Sequence, residues 1–94
     1  MEGVKKTLYS DEHKIFLALL RQVRQEAELT QTELAKRLRV PQSFVSDYET
    51  GSRKLDTLQM RQVCGAIGIS LSDFAARLDA NIAGEIEGEK LNKH

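Results

Sequence analysis

The stretch TQTELAKRLRVPQSFVSDYETG, residues 30–51, restricts the fold of this chain more than any other. It holds two helix signals with almost no chain between them. Thr30-Gln31-Thr32-Glu33 is a capping box: the Thr30 hydroxyl can accept from the N–H of Glu33, and Glu33 can reach back to the N–H of Thr30. Leu34, Ala35 and Leu38 then fall on one face. Pro41 forbids continuation through Val40, because a residue before proline avoids the α region, so this helix ends near Leu38 or Arg39. A second one starts at Pro41 or Gln42, where the missing proline N–H costs little, and runs to Thr50. Gly51 supplies the left-handed position beyond its end. So short a link forces a steep crossing. Ala35 is small enough for the contact point. Leu34, Leu38, Val40, Val45 and Tyr48 can lock the angle.

The rest of the chain extends the same pattern. Helix formers dominate its 94 residues, with a single proline, no tryptophan and no stretch of alternating polarity, so one all-α domain is expected. Ser10 is a suitable N-cap for a first helix, with Ile15, Phe16, Leu19, Leu20, Val23 and Ala27 on its apolar face and Arg21, Arg24 and Gln25 off it. Asp56 caps a fourth helix that reaches Ile67 and buries Leu58, Met60, Val63, Cys64 and Ile67. Gly68 ends it, and Ile69 is placed for the contact that accompanies such an end. Ser70 caps a fifth, with Leu71, Phe74, Ala75 and Leu78 on one side. Residues 1–9 are expected to be a flexible arm, 10–80 the folded domain, and 81–94 a polar tail, frayed or disordered.

Several chemistries have no support. One cysteine allows no internal disulfide, and Cys64 on an apolar stripe reads as a small core residue. No apolar run spans a membrane, so a cytoplasmic setting is expected. His13 stands apart from any ligand cluster and His94 is terminal. No metal spacing, no nucleophile–base arrangement, no paired carboxylates and no glycine-rich phosphate loop stand out. The chain is therefore expected to be neither an enzyme nor a cofactor carrier. The 14 basic and 14 acidic residues cancel, which argues for weak nonspecific attraction to polyanions. Residues 29–61 are more basic than the whole, with six cationic side chains (Lys36, Arg37, Arg39, Arg53, Lys54, Arg61) against four anionic ones (Glu33, Asp47, Glu49, Asp56).

The face of the third helix opposite Val45 and Tyr48 shows Gln42, Ser43, Ser46 and Asp47. These are short hydrogen-bonding groups on a rod whose diameter suits a DNA major groove, whereas the plain alternative is an ordinary solvated face. At this point the residues resemble a known family. The run from Leu29 to Leu78 is similar to the lambda-repressor-like, Cro-type helix-turn-helix domain, often called the XRE family. "LTQTELAKRL" resembles its second helix, "VPQSFVSDYETGSRKLD" its recognition helix and following loop, and "VCGAIGISLSDFAARL" its fourth helix and the start of its fifth. "LRQVRQEAELT" resembles the end of its first helix.

The resemblance implies a compact five-helix bundle, with helices 2 and 3 forming the helix-turn-helix, and a sequence-specific transcriptional regulator binding double-stranded DNA. It places Gln31 where the family contacts a phosphate and braces helix 3. Gln42 and Ser43 fall where the family reads base edges. Phe44 matches another outward position, able to touch a thymine methyl, or else packs against Leu55 or a partner chain. Ser46 and Asp47 lie one turn on. Arg53 and Lys54 match backbone-contacting positions, and Glu49 is expected to be structural. Arg39 stands where the family favours glycine, and a left-handed backbone there strains arginine by about 1 kcal/mol. Asp47 repels phosphate and is useful only as an acceptor for a cytosine amino group.

A single module reaching one groove buries little surface, so a homodimer is expected, with helix 5 and nearby residues (Leu71, Phe74, Leu78, extended by Ile82 and Ile86) as the seam. The rival expectation, from a different class, is an antitoxin-type or other protein-interaction module whose tail orders on a regulatory protein partner, with DNA binding secondary.

Overall fold

The computed structural model describes residues 2–92, with side chains described from 11 to 84. Five helices follow in order: α1 (Glu2–Glu26), α2 (Gln31–Leu38), α3 (Gln42–Thr50), α4 (Thr57–Ile67) and α5 (Leu71–Asn92). No strand occurs among the described residues, so the all-α expectation holds. Of the residues singled out above, His94 and the side chains of Ser10 and Ile86 lie outside the described set.

The ends of the helices follow the capping residues closely. Thr30 and Glu33 form the reciprocal box, with both hydrogen bonds at 2.9–3.0 Å. Asp56 and Gln59 form a second, in which Asp56 accepts from the Gln59 N–H at 2.8 Å. Ser70 accepts from the Asp73 N–H. Gly68, at φ 105°, lets its own N–H and that of Ile69 reach the Cys64 carbonyl. Two helices run further than their caps suggest. α1 begins at Glu2 rather than at Ser10, and α5 continues to Asn92, past Ala80. Residues 2–9 contain no proline, and serine inside a helix is only mildly unfavourable, so a cap preference at Ser10 does not stop the helix extending.

The core draws on all five helices: Leu19, Leu20 and Val23 from α1, Leu34 and Ala35 from α2, Val45 and Tyr48 from α3, Met60, Val63 and Cys64 from α4, and Phe74 from α5. Phe74 meets Phe16 edge-to-face with centroids 6.1 Å apart. Four positions depart from the sequence reading. Leu58 is 72% exposed. It precedes Met60 by two residues, a rotation of about 200° around the helix, and Met60, Val63, Cys64 and Ile67 already define the inward stripe of α4. Ala75 on α5 is exposed, and so is Ala27, which lies beyond the end of α1. Arg24, placed off the apolar face, is buried.

The corner between α2 and α3 consists of Arg39, Val40 and Pro41. Arg39 is left-handed, at φ 59° and ψ 44°, and the N–H groups of Arg39 and Val40 donate to the carbonyls of Lys36 and Ala35. The family's glycine position therefore carries its left-handed backbone here on an arginine. Arg39→Gly removes the left-handed penalty of about 1–2 kcal/mol but loosens the unfolded chain by about 0.4–1 kcal/mol. The expected net gain is about 0.5–1 kcal/mol, read as a raised urea midpoint at constant slope. A lowered midpoint would mean that the Arg39 side chain itself stabilises the corner.

Candidate nucleic-acid interface

α3 has two faces. Val45, Tyr48 and Glu49 are buried, while Gln42, Ser43 and Asp47 are exposed and Ser46 is half-buried. The outward groups of the sequence reading thus sit at one surface, with Ser46 at its margin.

A chain of hydrogen bonds holds the leading residue of that surface. It starts at Glu49, whose side chain is fully buried. Arg24 of α1 donates to both oxygens of Glu49, from Nε at 2.6 Å and from Nη2 at 2.9 Å, and its Nη1 donates to the Leu29 carbonyl at 2.8 Å. Gln31 Nε2 donates to Glu49 Oε1 at 3.0 Å. Gln42 Nε2 in turn donates to Gln31 Oε1 at 2.7 Å. A carboxylate only accepts, so Gln31 must turn its amino group toward Glu49 and its carbonyl toward Gln42. Gln42 must then offer an N–H to Gln31. That leaves it one N–H and its carbonyl oxygen, an adjacent donor and acceptor in fixed order. The N7 and N6 edge of adenine offers the complementary pair. Gln31 therefore ties Glu49 to Gln42 at the start of α3.

Burial pushes the Glu49 carboxyl up, but the hydrogen bonds from Arg24 and Gln31 and the attraction of Arg24 and Arg21 outweigh it, and the group stays below the ordinary glutamate value. The same bond to Glu49 raises Arg24, against its own desolvation. A charged pair in a dry site is the consequence. Arg24 was not recognised from sequence, although it stands four residues after Leu20 and so lies on the same stripe.

The loop after α3 carries the cations. The Arg53 guanidinium carbon lies 4.6 Å from the centroid of the Phe44 ring, and the Arg53 N–H donates to the Asp47 carbonyl at 3.1 Å. Phe44 itself is half-buried, edge-to-face on Tyr48 at 6.0 Å. It acts as a platform for Arg53 beside the outward face. Ser43 and Lys54 are exposed. The loop is pinned at Gly51, φ 88°, where an added Cβ would lie 3.1 Å from Leu17 Cδ1. Among the described residues no group of His, Cys, Asp and Glu could hold a metal, and no helix is long and apolar enough to cross a membrane.

Comparison with known proteins points the same way as this geometry. The helix-turn-helix family profile matches residues 20–74. Among solved structures, the chain is similar to an XRE-family like protein from Pseudomonas syringae pv. tomato str. DC3000, with 38% identity and a TM-score of 0.75 over 82% of this chain and 94% of that one. It is also similar to the clp gene regulator ClgR from Corynebacterium glutamicum, with 27% identity and a TM-score of 0.73 over 87% of each chain. No curated protein sequence matches it.

Proposed function

The chain belongs to the XRE-type helix-turn-helix family of DNA-binding transcription regulators, and from that we propose that it recognises an operator by laying α3 in the major groove. The observation that carries this reading is the Gln42 amide, exposed and set in one orientation by Gln31 and Glu49. Gln42 reads an adenine edge, and Ser43 a neighbouring one, with Ser46 and Asp47 one turn on. Asp47 accepts from a cytosine amino group. Gln31, Arg53 and Lys54 contact phosphates, which set register and carry no base information. Arg53 arrives already ordered on Phe44, so less of its freedom is lost on binding. The likeness to ClgR, a gene regulator, supports a regulatory role. Two copies related by a two-fold axis would read half-sites about 34–36 Å apart, with α5 at the seam.

Selection of bound duplexes from a random pool tests all of this together. The expected product is a two-fold symmetric site with an adenine fixed in each half. Gln42→Ala is expected to cost about 1–3 kcal/mol at that base pair, whereas Arg53→Gln weakens every duplex alike and flattens the salt slope by about 1. Equal losses on selected and random DNA for both variants would defeat the division of roles. A protein-interaction module would instead show no salt-sensitive binding to random duplex at all.

A further inference from the structure

Arg21 stands one turn before Arg24 on α1, and its situation is the opposite one. Arg24 is buried and makes three hydrogen bonds. The Arg21 side chain is 54% exposed and makes none among the described residues. Its nearest anion is Glu49, whose Oε1 lies 3.7 Å from Arg21 Nε, outside hydrogen-bond reach. That oxygen is already taken. It accepts from Arg24 Nη2 at 2.9 Å and from Gln31 Nε2 at 3.0 Å. Of the groups that hold the Glu49 carboxyl in its charged form, Arg21 contributes least. One carboxylate thus faces two guanidinium groups, and Arg24 alone balances its charge. The residues three and four positions from Arg21 on α1 are Leu17, Ala18, Arg24 and Gln25, none of them acidic. The Arg21 charge is left over at the surface.

That charge sits beside the amides of the DNA-facing surface. Arg21 Nε and Gln31 Nε2 approach the same Glu49 oxygen, so the two groups lie side by side, and Gln42 follows Gln31 in the chain of amides. Gln31 spends one amino N–H on Glu49 and keeps the other. A guanidinium is planar and can give a phosphate two parallel N–H bonds. Leaving Glu49 costs Arg21 little, because an exposed ion pair is worth little and Glu49 keeps its three bonds. The geometry points to Arg21 as a DNA contact: it swings off Glu49 and donates to the same backbone phosphate that Gln31 touches, so that α1 joins α2 and α3 in holding the duplex. This role rests on the major-groove reading above. As a phosphate contact it adds affinity and fixes register without reading a base.

The test measures binding of the full chain to random duplex at several salt concentrations, then phosphate ethylation interference on the selected duplex. Arg21→Gln should weaken selected and random DNA by the same factor, about tenfold at low salt, and flatten the salt slope by about 1 per protomer. Arg21→Lys, which keeps the charge, should keep the slope. The urea midpoint of Arg21→Gln should match that of the native chain. Ethylation of one phosphate in each half-site should block the native chain and no longer matter to Arg21→Gln. That phosphate should differ from the one to which Arg53→Gln becomes indifferent. Arg61→Gln removes the same charge from the exposed side of α4, which packs mainly on α2 and α5, and should leave the slope nearly intact. An Arg21→Gln slope equal to the native one, while Arg53→Gln flattens it, overturns the role of Arg21 and leaves the DNA reading standing. An equal loss with Arg61→Gln also overturns it, since net charge alone would then account for the effect. A lowered urea midpoint with an unchanged slope assigns Arg21 to folding instead. If the native chain shows no salt-sensitive binding to random duplex, the DNA reading itself falls, and the part of Arg21 in it falls too.

Discussion

Arg24→Ala is expected to destabilise the protein by about 3–5 kcal/mol, because it strands the buried Glu49 carboxylate. Arg21, 3.7 Å from Glu49 and half-exposed, cannot replace the two direct bonds that Arg24 provides. Small domains have only about 5–15 kcal/mol in total, so the variant would sit near the edge of folding. Urea denaturation measures the loss. Replacing both partners with apolar residues, Arg24→Met with Glu49→Leu, should restore most of it, since no buried charge is then left alone. The double variant should nevertheless read DNA less well, because Gln31 loses the acceptor that orients it. A double variant as unstable as Arg24→Ala would show that the cost is one of shape rather than charge.

The same pair predicts acid sensitivity, and its direction follows from the lowered Glu49 pKa. The carboxylate is favoured in the folded state, so its contribution is complete above the unfolded value of about 4.5 and is lost as pH falls through the lower folded value. Glu26, held by Arg77, and Glu33, held by the Thr30 backbone, are lowered too and act with the same sign from exposed positions. Below about pH 4.5 stability should therefore decline progressively, and Glu49→Gln should make that decline shallower without removing it.

Phe74→Ala is expected to cost about 3–5 kcal/mol, and Leu58→Ala less than about 0.5 kcal/mol. Phe74 is 2% exposed and Leu58 is 72% exposed. Calorimetric melts of the two variants check the contrast. A large loss at Leu58 would mean that a second molecule covers it. A small loss at Phe74 would detach α5 from the core.

The contrast between those two residues shows where sequence legibility ends. Both are large and apolar, and both stand near the start of a helix. Capping residues act within one turn, so Thr30, Asp56, Ser70, Gly51 and Gly68 could be read as boundaries and the helix-turn-helix followed from them. Which face of a helix turns inward depends on neighbours distant in sequence, and that decides against Leu58 and for Arg24. Glu49 was legible as structural, but its partner, twenty-five positions earlier, was not. The outward side of α3 was legible because Val45 and Tyr48 fix the inward one. The platform under Arg53 was not, because Phe44 and Arg53 meet only once the loop has folded back over the helix.

The amide contact between Gln31 and Gln42 has a consequence for how such a protein can change its target. A new side chain at position 42 inherits a neighbour whose carbonyl oxygen is already aimed at it and needs a donor. Glutamate there would face that oxygen with like charge, and alanine would leave it without a bond. Retargeting through an acceptor or an apolar residue at 42, where Gln42 is proposed to read a base, therefore calls for a paired change at 31, whereas a donor side chain at 42 can satisfy that oxygen alone.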